Sequence, residues 1–166
     1  MSIHPSKQTQ RPLLQKFGIG CAVIVVLSVA GYWVNKTVQS YLGQSAIAAT
    51  GLDIMSLHNA LEAAKSSQKL VLADMSAIWC PTCRRLDKEI FSSEIVKAQI
   101  QQNYVFARIE YETPEGLDFR NTYDVVGFPT LLVLDDNANK LVQLPLVFEP
   151  QEFTNNLQKV SKAVSY

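Results

Sequence analysis

No aspartate or glutamate occurs before Asp53, although the 166-residue chain carries 15 acidic residues. The lysines and arginines ahead of that point are Lys7, Arg11, Lys16 and Lys36, which leaves 11 basic against 15 acidic residues from Asp53 onward. The globular part is therefore mildly acidic, which argues against a nucleic-acid partner. Histidine and cysteine are scarce as well, at two and three residues. A closed zinc site needs four ligands. Beyond Cys80 and Cys83 the chain offers only Cys21, inside an apolar run, and His4 and His58, which lack ligand-like spacing. Haem attachment requires a histidine directly after the second cysteine, and Arg84 stands there. There is no internal repeat and no low-complexity tract, and no metal or organic cofactor is implied.

Charge is also missing from Phe17 to Val34, eighteen residues that are apolar on every side. That is close to the roughly 20 residues a helix needs to cross the hydrocarbon core, and no polar face suits it to a soluble core. Tyr32 and Trp33 fit an interface, and the excess of Lys7, Arg11 and Lys16 over Lys36 keeps residues 1–16 in the cytoplasm. Residues 17–34 thus read as a signal-anchor, with the rest exported to the periplasm or an equivalent lumen. The alternative is a cleaved signal peptide, since Ser28-Val29-Ala30 and Ala46-Ile47-Ala48 are small-x-small sites. Apolarity continues past the first, and the second lies well beyond the run, so the anchor is preferred. Cys21, within the span, reads as a small apolar residue. Residues 35–52 are small and polar and read as a tether, partly helical near the membrane.

From residue 53 to 166 the periodicity changes repeatedly. Ile54, Leu57, Leu61 and Ala64 recur at helical spacing behind Asp53, a plausible N-cap, with His58 at the surface. Leu70 to Met75 is an apolar run but for Asp74, as in a strand covered on both faces. Leu86 and Ile90 then carry a helical stripe, and Ile95 to Ile100 continues helically after Ser92-Ser93. Val105, Ala107, Ile109 and Tyr111 alternate with Tyr104, Phe106, Arg108 and Glu110 in a strand. Thr113-Pro114-Glu115 opens a short helix. Thr130 to Leu134 and Lys140 to Leu144 form a hairpin, and Phe153, Leu157 and Val160 mark a closing helix.

Between the first strand and its helix stands Trp79-Cys80-Pro81-Thr82-Cys83. Pro81 belongs at the first helical position, where its missing N–H has no partner to lose. Cys80 is then the outward residue, and the orphan N–H groups and the helix dipole favour a thiolate there. Cys83, one turn on, is the resolving thiol that opens a mixed disulfide. A purely structural disulfide would close too short a loop to constrain the unfolded chain much.

The order helix, strand, helix, strand, helix, strand, strand, helix, with Cys-x-x-Cys after the first strand, resembles the thioredoxin fold, an α/β architecture with a central mixed sheet flanked by helices. Trp79 matches the family's aromatic residue before the first cysteine, and Asp74, six residues before Cys80, matches its buried acid. Phe128-Pro129-Thr130 after Gly127 resembles the cis-proline loop. The resemblance runs from about Asp53 to Ser165. Ala73 to Cys80 and Glu89 to Val96 are most similar to the C-terminal periplasmic domain of DsbD-type thiol reductases, whereas Pro81-Thr82 resembles the CcmG-type reductases of cytochrome c maturation. The stretch from Cys83 to Pro129 is short for the insertion of the latter.

The resemblance implies that Cys80 is the nucleophile, Cys83 its redox partner and Asp74 the proton acceptor for Cys83. Trp79, Phe128 and Pro129 shape the substrate surface, with the absent N–H of Pro129 leaving an edge for a client strand. Asp87, Arg84 and Arg85 either tune the thiols or are simply solvated. The expected partners are disulfide or dithiol client proteins and a membrane electron donor. The direction of exchange leans to reduction, because Pro81-Thr82 places no cation between the sulfurs. An oxidase or isomerase of the same fold, and a non-enzymatic assembly module, remain as alternatives.

Overall fold

A computed structural model describes residues 11–164; the start of the expected cytoplasmic segment, with Lys7 and His4, and the last two residues, Ser165 and Tyr166, lie outside the described residues. The chain divides at Val38/Gln39 into two units. The helix α1 runs over Arg11–Thr50. Within the first unit it exposes Val23, Ile24, Val25, Val26, Leu27 and Val29, and its stretch Gly20–Thr50 is long and apolar enough to cross a membrane.

In the second unit follow β1 (Ile54–Met55), α2 (Leu57–Ser67), β2 (Leu70–Ser76), α3 (Pro81–Leu86), α4 (Glu94–Asn103), β3 (Tyr104–Glu110), α5 (Pro114–Tyr123), β4 (Thr130–Leu134), β5 (Lys140–Leu144) and α6 (Pro150–Val164). The strands form one mixed sheet in the order β1-β3-β2-β4-β5. β1 and β2 both pair parallel to β3, while β4 runs antiparallel to β2 and β5 antiparallel to β4.

Successive strand residues face opposite sides of a sheet, and β2 shows both faces covered. Val71, Ala73 and Met75 pack with Ala60 and Ala64 of α2 and Phe119 and Tyr123 of α5. Leu72 packs the other way, with Leu86, Ile90, Val96, Ile100, Phe153 and Leu157. Phe91 anchors this second layer, edge-on to Phe106 at 4.9 Å and to Phe153 at 5.9 Å between ring centroids. Such pairs add about 0.5–1.5 kcal/mol each beyond their buried area.

Three local expectations differ from the structure. Ile54 lies in β1, paired with Phe106, and the cap of α2 is Ser56, whose hydroxyl accepts from the Asn59 N–H at 3.3 Å, instead of Asp53. Residues 35–50, expected as a tether, are helical. In the second unit their face Gly43, Ala46 and Thr50 is buried, because residues this small let a helix backbone approach closely. Finally, α3 passes into a π-helical turn at Asp87–Phe91, closed by the Ser92 N–H donating to the Asp87 carbonyl at 3.0 Å. Elsewhere the cap-then-proline signal holds: the Thr113 hydroxyl accepts from the Gly116 N–H at 3.0 Å, with Pro114 next.

Candidate active site

The loop after β2 delivers the two cysteines to the start of α3. Cys80 is the N-cap, with extended backbone, and Pro81 takes the first helical position as its fixed φ favours. The Cys83 N–H donates to Cys80 Sγ at 3.1 Å, so the first sulfur sits over the open amides of the helix start. Both thiols are free; Cys80 is 5% exposed and Cys83 1%. Burial, aided by a hydrogen bond with Cys80, pushes the Cys83 thiol far up, so it stays protonated at neutral pH.

Aromatic rings cover the pair. Trp79, Tyr111 and Phe128 pack against Ala77, Cys80 and Cys83. Phe128 stands edge-on to Trp79 at 5.5 Å and to Tyr111 at 4.5 Å, and the Arg120 guanidinium lies 4.0 Å from the Tyr111 ring centre. The Phe128–Pro129 peptide bond is cis, Pro129 is half-buried and Val126 is exposed. Pro81 and Thr82 are exposed.

Asp74 shares its strand parity with Leu72 and so faces the α3 side of the sheet. It is fully buried, and the Ser76 hydroxyl lies 2.8 and 2.9 Å from its two oxygens. Its register partner on β3 is Arg108, whose Nη1 lies 3.4 Å from Asp74 Oδ2. The same Nη1 donates to Asp87 Oδ1 at 2.6 Å. Burial lifts the Asp74 carboxyl to about 6, against the pull of Arg108 and Ser76, while Asp87 and Glu110 push the same way as burial. Asp87 is also raised by burial and drawn back by Arg108. Burial disfavours the charge on Arg108, but the two carboxylates outweigh it and keep it cationic. Among the described residues, no group of three or more His, Cys, Asp or Glu side chains is placed to hold a metal.

The structure therefore gathers Cys80, Cys83, Trp79 and Phe128 in one cluster, with Pro129 next in the chain. Electrostatically, Asp74 acts on Cys83. Of the residues left open by the sequence, Asp87 is 1% exposed and paired, whereas Arg85 is exposed, bonded to Glu89 at 2.9 Å and stacked 4.0 Å from the Phe148 ring centre. His58 is exposed on α2. Arg108 was legible only as one residue of an alternating strand. A signal existed: a carboxylate in a fully apolar strand needs a cation from a neighbouring strand, and Arg108 is the one cationic residue of β3.

The model of a family described as thioredoxin-like matches residues 53–136. The thiol:disulfide interchange protein DsbD of Yersinia pestis is 26% identical over 98 residues, covering 57% of this chain and 16% of that protein. Among solved structures, a thioredoxin from Thermus thermophilus superposes with a TM-score of 0.59 at 26% identity, over 66% of this chain and 86% of its own. A putative disulphide-isomerase from Bacteroides thetaiotaomicron superposes at 0.58 and 25% identity, over 70% and 95%. The chain thus spans about a sixth of its DsbD relative and most of the two solved structures. Since the matched half of the sequence takes in both cysteines, Asp74 and Pro129, this chain belongs to the thioredoxin-like family.

Proposed function

We propose that the chain is a membrane-anchored protein-disulfide reductase whose redox domain is exported, with residues 17–34 spanning the membrane and the N-terminus cytoplasmic. The observation that carries the chemistry is the Cys83 N–H donating to Cys80 Sγ at the start of α3. A sulfur that accepts a backbone amide attacks as the thiolate. Cys80 attacks one sulfur of a client disulfide, forming a Cys80–client disulfide and releasing the client's other sulfur as a thiolate, which takes a proton from water. Cys83 then gives its proton to the Asp74 carboxylate and attacks Cys80 Sγ. The Cys80–Cys83 disulfide forms and the second client sulfur leaves, so two electrons have passed to the client. A membrane electron donor restores the dithiol.

Trp79 and Phe128 present an apolar wall to the client, and Pro129 leaves the adjoining edge without an N–H of its own. The likeness to an interchange protein supports partners that are themselves dithiol or disulfide proteins. Two measurements test this reading. In membranes, Cys83→Ala should accumulate mixed disulfides through Cys80 that vanish in Cys80→Ser; an empty trap sinks the enzymatic reading. Equilibration with glutathione should place the pair near the roughly −270 mV of thioredoxin, and a value near the roughly −120 mV of DsbA reverses the direction to oxidation.

A further inference from the structure

The exchange mechanism uses nothing from α1, yet the last turns of that helix hold the redox motif on both sides. Upstream of Cys80, Gly43 is buried against the loop, and a Cβ at this position would overlap the Ile78 carbonyl oxygen. Only a residue without a side chain lets the helix backbone come this close. Downstream of Cys83, Arg84 Nη1 donates to Gln39 Oε1 at 2.6 Å. The Ile78 N–H donates to Glu110 Oε1 of β3 at 2.9 Å. Ile78 is thus held through its N–H by the sheet and pressed at its C=O by α1, two residues before the reactive sulfur. The face of α1 that does this continues through Ala46, 1% exposed, to Thr50, also 1%.

We propose that Gly43 and Gln39 are positioning residues of the redox centre. Through Ile78 and Arg84, α1 sets the turn that aims Cys80 Sγ at the Cys83 N–H, and the reactivity of the pair depends on that helix staying seated. The proposal rests on the reading of Cys80 as the attacking thiol. It goes further in making the segment that joins the apolar run to the redox domain part of the active site, and it closes this flank to clients, which then enter across Trp79, Phe128 and Pro129.

The test uses the full chain in nanodiscs, with Cys21→Ser as background so that alkylation reports the active-site thiols. Three variants are compared with that parent: Gly43→Leu, which lifts α1 from Ile78; Gln39→Leu, which strips Arg84 of its acceptor; and Gln39→Glu, which keeps an acceptor. The readouts are the pH profile of iodoacetamide alkylation at Cys80 and the glutathione redox equilibrium, with thermal unfolding as the control for folding. Gly43→Leu should slow alkylation at pH 7 about threefold or more, the scale of losing part of a helix-start interaction. Gln39→Leu should shift the profile in the same direction, and Gln39→Glu should match the parent. A shift in either leucine variant that remains folded supports the proposal. Parent-like profiles and equilibria in both overturn it, as does a parent-like Gln39→Leu when Gly43→Leu fails to fold. If Cys80 of the parent itself reacts no faster than free cysteine, the reductase reading falls. The redox equilibrium of the variants against the parent then decides the positioning role alone.

Discussion

Arg108 Nη1 lies 3.4 Å from Asp74 Oδ2, across two neighbouring parallel strands and beneath the helix that carries the cysteines. The same nitrogen is 2.6 Å from Asp87 Oδ1, so one guanidinium serves two buried carboxylates. Asp87 Oδ2 and Arg108 Nε have no hydrogen-bond partner. The group is therefore held by charge more than by saturated hydrogen bonding, and its protonation state is coupled to the pH around it.

The sign for Asp74 follows from its raised carboxyl. The folded state holds this proton up to about pH 6, while the unfolded chain releases it near 3.8. Its contribution to stability is full below about pH 4 and is lost as pH rises through about 6, a change on the order of 3 kcal/mol. Asp74→Asn removes that loss. It should be about 1–3 kcal/mol more stable than wild type in urea unfolding at pH 7.5 and equal to it near pH 4. Resolution of a Cys80 mixed disulfide should slow about a hundredfold for want of the proton acceptor. Parallel stability curves for the two proteins would mean that folding leaves the Asp74 carboxyl at its ordinary value.

Ser76→Ala gives a finer test of the same carboxyl. The hydroxyl donates to both Asp74 oxygens and favours the ionised form. Without it the carboxyl should titrate still higher, and the midpoint of the pH dependence of mixed-disulfide resolution should move up. A midpoint that stays or falls contradicts the assignment of Asp74 as acceptor.

Arg108→Met leaves two buried carboxylates without their cation. Breaking a buried ion pair from one side costs about 3–5 kcal/mol, and that loss should shrink near pH 5 as the carboxyls take up protons. Asp87→Asn should cost less, because Arg108 keeps Asp74. Denaturant midpoints at the two pH values check both statements, and a loss that grows on acidification refutes them.

Gly116 sits in the first turn of α5, where an added Cβ would meet the Tyr111 carbonyl oxygen at 2.8 Å and the Glu110 carbonyl oxygen more closely still. Both obstacles are backbone, so Gly116→Ala should destabilise by about 1–3 kcal/mol through overpacking. Thr113→Ala, which removes the cap, should cost about 1 kcal/mol. Thermal unfolding of the two variants orders them, and the reverse order would place the strain elsewhere.

What was legible in the sequence was what neighbouring residues decide among themselves. The apolar run of β2, the Cys80–Cys83 spacing, Pro81 at the helix start and the Thr113-Pro114 cap are all set within a few residues, and the structure places each as read. The misses are tertiary. β1 has two residues and exists because Phe106 and Ala107 offer it a parallel edge. The helical stretch up to Thr50 looked like a linker because it docks through small residues, which carry little hydropathy signal. Asp87 points inward because the α-helix widens into a π turn, and no residue type announces that. Arg108 fell on a strand whose two faces are both covered, so alternation could not mark it as buried.

The contact at Gly43 has a practical corollary for anyone preparing a soluble form of this domain. The matched family begins at residue 53, and cutting the gene there would discard the turns of helix that shelter Ile78. Such a shortened protein would display a raw flank beside its reactive sulfur, and measurements on it would describe a looser centre than the intact chain possesses. Starting the clone near Asn35 keeps that buttress in place.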